Sequence, residues 1–258
     1  MPVAFLELSD VLLALGGLVA GLMVGLTGMG GAVLVTPLLI LGFGLPAGAA
    51  VSSDLVASAV MKPVGATVHA RRGTVHWGLV GWLSAGSVPG VLLGTYAFTR
   101  MIDGGAEKTL ASWIGVALLV AVGATLARTV ISARNAAIAP VAADDPRGGP
   151  RAPVRRAPTL LIGLVVGTLV GITSVGSGSL VVATLLLLYP LLRPSVLVGT
   201  DLVQAVPMLV TGALAHMTVG SVDWRVAATL LVGQVPGVWM GARLSSRTDV
   251  NYLACARK

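Results

Sequence analysis

Apolar residues in this chain gather into runs long enough to cross a bilayer, and the polar residues that interrupt them recur at matched places. No charged side chain occurs from Val11 to Ser53. Charge-free length, with glycine or proline at the ends, predicts membrane segments over 11–27, 32–44, 47–69, 76–98 and 110–127. A stretch from Arg128 to Pro158, rich in arginine, proline and glycine, reads as a basic cytoplasmic linker expected to be disordered. Apolar segments then resume over 159–174, 178–192, 195–217 and 222–242. The pattern predicts an all-α polytopic membrane protein.

The first long run holds a glycine knot, Gly28-Met29-Gly30-Gly31. Each glycine costs roughly 1 kcal/mol relative to alanine inside a helix, so two helices are expected to meet there as a broken helix or hairpin. In hydrocarbon, backbone groups freed by such a break are tolerated only against protein or a polar cavity.

The chain writes this organisation twice. Gly25-Leu26-Thr27-Gly28-Met29-Gly30 is answered by Gly171-Ile172-Thr173-Ser174-Val175-Gly176, and Asp54-Leu55-Val56 by Asp201-Leu202-Val203. His69, Gly73, Val75 and Trp77 return as His216, Gly220, Val222 and Trp224, and Val88-Pro89-Gly90-Val91 as Val235-Pro236-Gly237-Val238. From Asp54 to Gly94, 17 of 41 positions are identical at one fixed offset, the signature of internal duplication. Residues 1–127 form the first repeat, 128–158 the linker and 159–258 a second repeat, in which the last helix is expected to be missing. Basic residues follow His69 in the first half, as Arg71 and Arg72, but not His216; in the second half they cluster at Arg243, Arg247, Arg257 and Lys258. Exchange of the basic loops is what the positive-inside rule predicts for repeats of opposite topology, so inversion is expected.

Composition agrees. Hydrophobic residues make up 55%, charged residues 10%, and the mean hydropathy is +0.93, against about 25% charged in a soluble domain. The net charge of +7 lies in loops and the linker, not on an aromatic-studded face, which argues for membrane orientation and against nucleic acid. Cys255 stands alone, so no disulfide framework or multi-cysteine metal site is expected. Acidic Glu7 and Asp10 occupy the place of a basic signal-peptide region, so the first apolar run is expected to be retained. Neither a Gly-x-Ser-x-Gly elbow, nor a His-Glu-x-x-His pair, nor a Walker loop is present; no enzyme, cofactor or metal is expected.

Inverted-repeat transporters bring broken helices together near the midplane, where helix N-termini meet an anion. Candidate substrate-binding residues are therefore Thr27, Gly28, Gly30 and Gly31 in the first knot, with Thr173, Ser174, Gly176, Ser177 and Gly178 in the second. Tight small-residue packing is the competing account of the same glycines. Lys62, inside an apolar segment, is a candidate for attracting the anion; snorkelling to the headgroups competes with that, as does a local link to Asp54 through water or Ser58. Gln204, whose counterpart is Ala57, is a further candidate for ligand or for a neighbouring helix. Asp54 and Asp201 are matched acids that could couple protons or satisfy broken backbone. His69 and His216, at segment ends, are expected at the interface.

These motifs together resemble the TauE/SafE family of sulfite and organosulfonate exporters, also called TSUP transporters. The resemblance rests on Gly25–Pro37 and Gly171–Thr184, on Ser53-Asp54-Leu55 running to Lys62, and on His69-Ala-Arg-Arg-Gly-Thr-Val-His-Trp77. Gly199-Thr-Asp-Leu202, the Gly-Ser-Val-Pro-Gly run ending at Gly90, and Gly233-Gln-Val-Pro-Gly237 complete it. It implies a multi-pass cytoplasmic-membrane transporter of small sulfur-containing anions in two repeated halves. The expected activity is secondary transport, with export favoured, of an anion such as sulfite, thiosulfate or a sulfonate, by alternating access. An anion channel and a non-transporting degenerate scaffold stay open, as does homo-oligomerisation. The expected partners are the anion and the lipid bilayer.

Overall fold

The computed structural model describes residues 8–27, 32–138, 153–190, 192, 194–219 and 222–255, and every regular element among them is helical. In chain order these are α1 (Leu8–Thr27), α2 (Ala32–Pro37, continued by a π-helical turn over Leu38–Gly42), α3 (Ala47–Arg71), α4 (Trp77–Asp103) and α5 (Glu107–Ile138). They are followed by α6 (Arg156–Thr173), α7 (Ser179–Leu188), α8 (Pro194–Val219) and α9 (Trp224–Cys255). Each apolar segment of the sequence has its helix. One difference is α5, which runs on to Ile138, inside the stretch expected to be a disordered linker. Alanines and arginine from Ala127 onward are good helix formers, and an amphiphilic tail can extend a membrane helix into water. Residues 139–152 lie outside the described residues.

Among the described residues five helical stretches are long and apolar enough to cross a membrane: Leu8–Thr27, Trp77–Asp103, Glu107–Ala127, Arg156–Thr173 and Ser195–Val219. Large apolar side chains are exposed as well as buried, and polar ones are among the most buried. Leu119 is 75% exposed and Val232 71%, whereas Lys62 is 1% exposed and Asp54, Asp201, Gln204 and Gln234 are fully buried. Apolar side chains face the surroundings and polar ones face inward, as hydrocarbon solvent demands.

Glycine rows set the helix packing. Gly17, Gly21 and Gly25 of α1 lie against Leu230, Gln234 and Val238 of α9, while Gly233, Gly237 and Gly241 of α9 lie against Ala14, Leu18 and Leu22 of α1. The same arrangement joins α4 and α6: Gly86, Gly90 and Gly94 meet Leu160, Leu164 and Thr168, and Gly163, Gly167 and Gly171 meet Leu83, Ser87 and Val91. At all of these positions an added Cβ would run into a backbone carbonyl, so only glycine permits the approach. Contact numbers rise together along both partners, so α1 runs parallel to α9 and α4 parallel to α6.

α3 and α8 cross between these pairs, α3 packing on α9 and α4 on α8. Ser52 near the start of α3 meets His216 near the end of α8 (Oγ to Nδ1, 2.9 Å), while Gly65 toward the end of α3 faces Leu202 toward the start of α8. These two helices are therefore antiparallel. Their ends make reciprocal contacts: the His76 N–H donates to Thr200 Oγ1 (3.0 Å) and the Asp223 N–H to Ser53 Oγ (2.9 Å). His76 and Asp223 then accept from backbone N–H groups at the starts of α4 and α9, as N-caps do.

Charge separates between the two ends of the bundle. At one end the Arg72 guanidinium donates to the Arg243 carbonyl (3.4 Å), Arg156 sits over the Trp82 ring and Arg243 over Trp239. At the other, Arg225 pairs with Asp10 (2.8 Å) and Arg100 stacks on Tyr96 near Asp103 and Glu107. Basic residues paired with aromatics at helix ends mark the two membrane–water boundaries.

Gly90→Val is expected to cost at least about 1–3 kcal/mol by overpacking against the Leu164 carbonyl. Gly115→Ala, which meets nothing within 4 Å, is expected to be neutral or stabilising by up to about 1 kcal/mol. Thermal unfolding of the two variants in detergent checks the contrast.

Candidate functional site

The break after α6 supplies the first part of the site. Ser174 adopts φ 60° and Gly176 φ 104°, so the chain leaves the helix through two left-handed residues before α7 begins at Ser179. Ser174 is unusual there, since a side chain in this region costs about 1–2 kcal/mol; its counterpart in the first half is Gly28. Its hydroxyl offsets the strain by donating to Asp54 Oδ2 at 2.7 Å. Thr173 serves the break itself: its hydroxyl donates to the Leu169 carbonyl (2.7 Å) and accepts from the Val175 N–H (3.2 Å). Thr27 donates to the Met23 carbonyl at 2.6 Å. Gly178 precedes α7 with φ −118° and ψ −49°. Gly28, Gly30 and Gly31 lie outside the described residues.

α3 supplies the second part. Lys62 Nζ donates to Ser177 Oγ at 2.9 Å, one turn or less before α7. This corrects two of the competing accounts. The ammonium does not snorkel, because it is buried at the break; and Asp54 and Lys62 are not linked through Ser58 but each reach across to the second-half knot. Thr36 of α2 adds a long contact to Asp54 Oδ2 (3.5 Å). Eight residues separate Asp54 from Lys62, about 12 Å of rise at 1.5 Å per residue. Asp201, next to the Leu202 that faces Gly65, lies beyond Lys62 along the same axis. The ammonium is therefore flanked by one carboxylate on either side, both within its electrostatic reach.

α8 and α4 supply the third part. Gln204 Nε2 donates to Asp201 Oδ1 at 3.3 Å, and Ser87 Oγ donates to Gln204 Oε1 at 3.4 Å. In this closed arrangement the Gln204 amide is bonded to protein. Ser87 was not distinguished by sequence; only its place in the Gly-Ser-Val-Pro-Gly run hinted at it.

The histidines also depart from expectation. Both are fully buried: His216 Nε2 bonds the Gly171 carbonyl (2.9 Å) and its ring lies 4.4 Å from Phe98, while His69 Nδ1 bonds Thr74 Oγ1 (2.9 Å). They hold helix ends together instead of facing headgroups.

The arrangement concentrates positive potential at one spot. The Lys62 ammonium and the positive end of α7 meet at Ser177, where two cationic sources repel unless negative charge lies between or beside them. Asp54 and Asp201 supply part of that charge. Among the described residues no group of three or more His, Cys, Asp or Glu side chains could hold a metal ion.

A family model described as Sulfite exporter TauE/SafE matches residues 13–256. The chain is 35% identical to Probable membrane transporter protein YjnA of Bacillus subtilis, over 92% of this chain and 91% of that protein. It is 28% identical to Probable membrane transporter protein YunE of the same organism, over 93% and 88% of the two chains. No solved structure gives a significant match.

Ser174→Gly is expected to change stability little, because relief of the left-handed strain (about 1–2 kcal/mol) offsets the lost hydroxyl. Ser174→Val combines strain with the lost bond to Asp54 and is expected to cost about 2–4 kcal/mol. Thermal melts of the two variants side by side test the pairing.

Proposed function

The chain belongs to the TauE/SafE family, and from that premise we propose that it is a secondary transporter exporting a small sulfur-containing anion by alternating access. It is a multi-pass membrane transporter by family; substrate, direction and coupling are our reading. The observation that carries the anion is the Lys62 ammonium held 2.9 Å from Ser177 at the start of α7, inside the bundle and sealed from both surfaces. A buried cation at the positive end of a helix is an arrangement that a bound anion stabilises. Sulfite, thiosulfate and small sulfonates have the size and charge for it. Export is the direction that the family's description names.

We further read the two halves as inverted repeats. Three features support this: α3 and α8, which correspond in the sequence repeat, run antiparallel; each outer helix pair joins the first helix of one half to the fourth of the other; and the Ser53 and Thr200 contacts are reciprocal. The basic end of the bundle, with Arg71, Arg72, Arg156 and Arg243, is then cytoplasmic. The second knot turns the chain back: α7 returns toward the start of α6, where the Tyr189 hydroxyl accepts from the Arg155 N–H (2.9 Å). Substrate contacts fall to Lys62, Ser174, Ser177, Gly176 and Gly178, with Thr27, Gly28, Gly30 and Gly31 contributing from the first knot. Thr173 and Gln204 border the site. Asp54 and Asp201, one toward each side of Lys62, are the coupling acids.

Lys62→Met in proteoliposomes is expected to reduce sulfite flux at least tenfold while membrane insertion and monodispersity are kept. Flux unchanged in that variant would remove Lys62 from the pathway, and wild-type flux indifferent to an imposed proton gradient would favour a channel over a coupled carrier.

A further inference from the structure

Corresponding positions in the two halves are not chemically equal, and the inequality singles out Gln234. Where α4 meets α8, Ser87 bonds Gln204, and Gln204 bonds Asp201 one turn earlier on its own helix. The corresponding positions where α9 meets α3 are Gln234, Ala57 and Asp54. The glutamine has moved from the inner helix to the outer one, and alanine stands where its partner would be. Gln234 is fully buried, and neither its Oε1 nor its Nε2 has a hydrogen-bond partner among the described residues.

A buried amide left in that condition costs about 1–3 kcal/mol, and a methionine of similar volume would fill the space without the penalty. Its stem lies beside α1, where a Cβ on Gly17 would come within 3.5 Å of Gln234 Cγ. One turn earlier, Leu230 packs in one cluster with Ala20, Val35 and Ala57, so the surroundings on α1, α2 and α3 are apolar. On the adjoining helix α3, Asp54 is likewise fully buried, and its Oδ1 has no hydrogen-bond partner among the described residues. A glutamine there offers a neutral donor, which suits an oxyanion: it can bind an oxygen without adding charge to a centre already holding Lys62 and two carboxylates.

We propose that Gln234 is a substrate-contacting residue, its Nε2 donating to an oxygen of the transported oxyanion between α3 and α9. The inference rests on the anion-transport reading above and extends the site from the second-half break to the α3–α9 side. It accounts for the small residue at Ala57, which leaves room on α3 facing the amide.

The test uses the purified full chain in detergent, with Gln234→Met and Gln234→Ala, and follows thermal stabilisation by sulfite, thiosulfate and methanesulfonate, with chloride as control. The expected result is that Q234M melts at or above the wild-type temperature, yet needs at least tenfold more of the stabilising oxyanion for the same shift. Q234A gives the same affinity readout should Q234M fail to fold. A raised melting temperature with unchanged anion response would overturn the assignment and leave Gln234 a packing residue, with the transport reading intact. Wild-type protein indifferent to every oxyanion tested would instead remove the anion reading and this inference together.

Discussion

Two helix pairs in this protein touch backbone to backbone along rows of glycine, and the position of everything else follows from that closeness. In lipid, no hydrophobic effect drives helix against helix, so association depends on how many atoms come within van der Waals range. Rows at every fourth residue give α1 with α9, and α4 with α6, a seam without intervening side chains. The seams leave α3 and α8 clamped in the middle as the two helices with the most polar inner faces. Their buried serines, threonine, carboxylates and lysine lie on inward faces, while Val60, Val210 and Leu214 of the same two helices are exposed.

With α3 and α8 antiparallel, Asp54 and Asp201 are carried to opposite sides of the centre, and Lys62, whose counterpart is Leu209, stands between them without a twin. Positions that correspond in the sequence carry unlike chemistry. Ser52 faces His216, whereas the corresponding Gly199 faces His69; Ser87 bonds Gln204, whereas their counterparts in sequence are Gln234 and Ala57.

Much of this was legible in the chain. Charge-free runs located the helices, because hydrocarbon permits few alternatives to a helix and so removes most of the ambiguity of reading a soluble sequence. The second glycine-rich break was legible too, since Gly176 at φ 104° marks a turn that few other residues tolerate. Side-chain partners were not. Spacing placed Asp54 and Lys62 on one face of one helix and suggested a local link, but the partner of Lys62 is 115 residues away. Periodicity describes one helix and is blind to which other helix lies opposite. The same blindness misplaced His69 and His216, whose positions near segment ends looked interfacial although neighbouring helix ends cover them. Gln234 stood in plain view within Gly-Gln-Val-Pro-Gly, but only the unequal pairing across the bundle distinguishes it.

The pairing of α1 with α9 has a temporal side. α1 is the first of the described helices to leave the ribosome, and the surface that fits its glycine row lies on α9, the last of them. Throughout synthesis that groove lies against lipid tails, which cannot fill it as closely as another backbone. The seam is thus the contact of greatest sequence separation in the bundle, and closing it makes the maturation of the fold depend on the whole chain having entered the membrane.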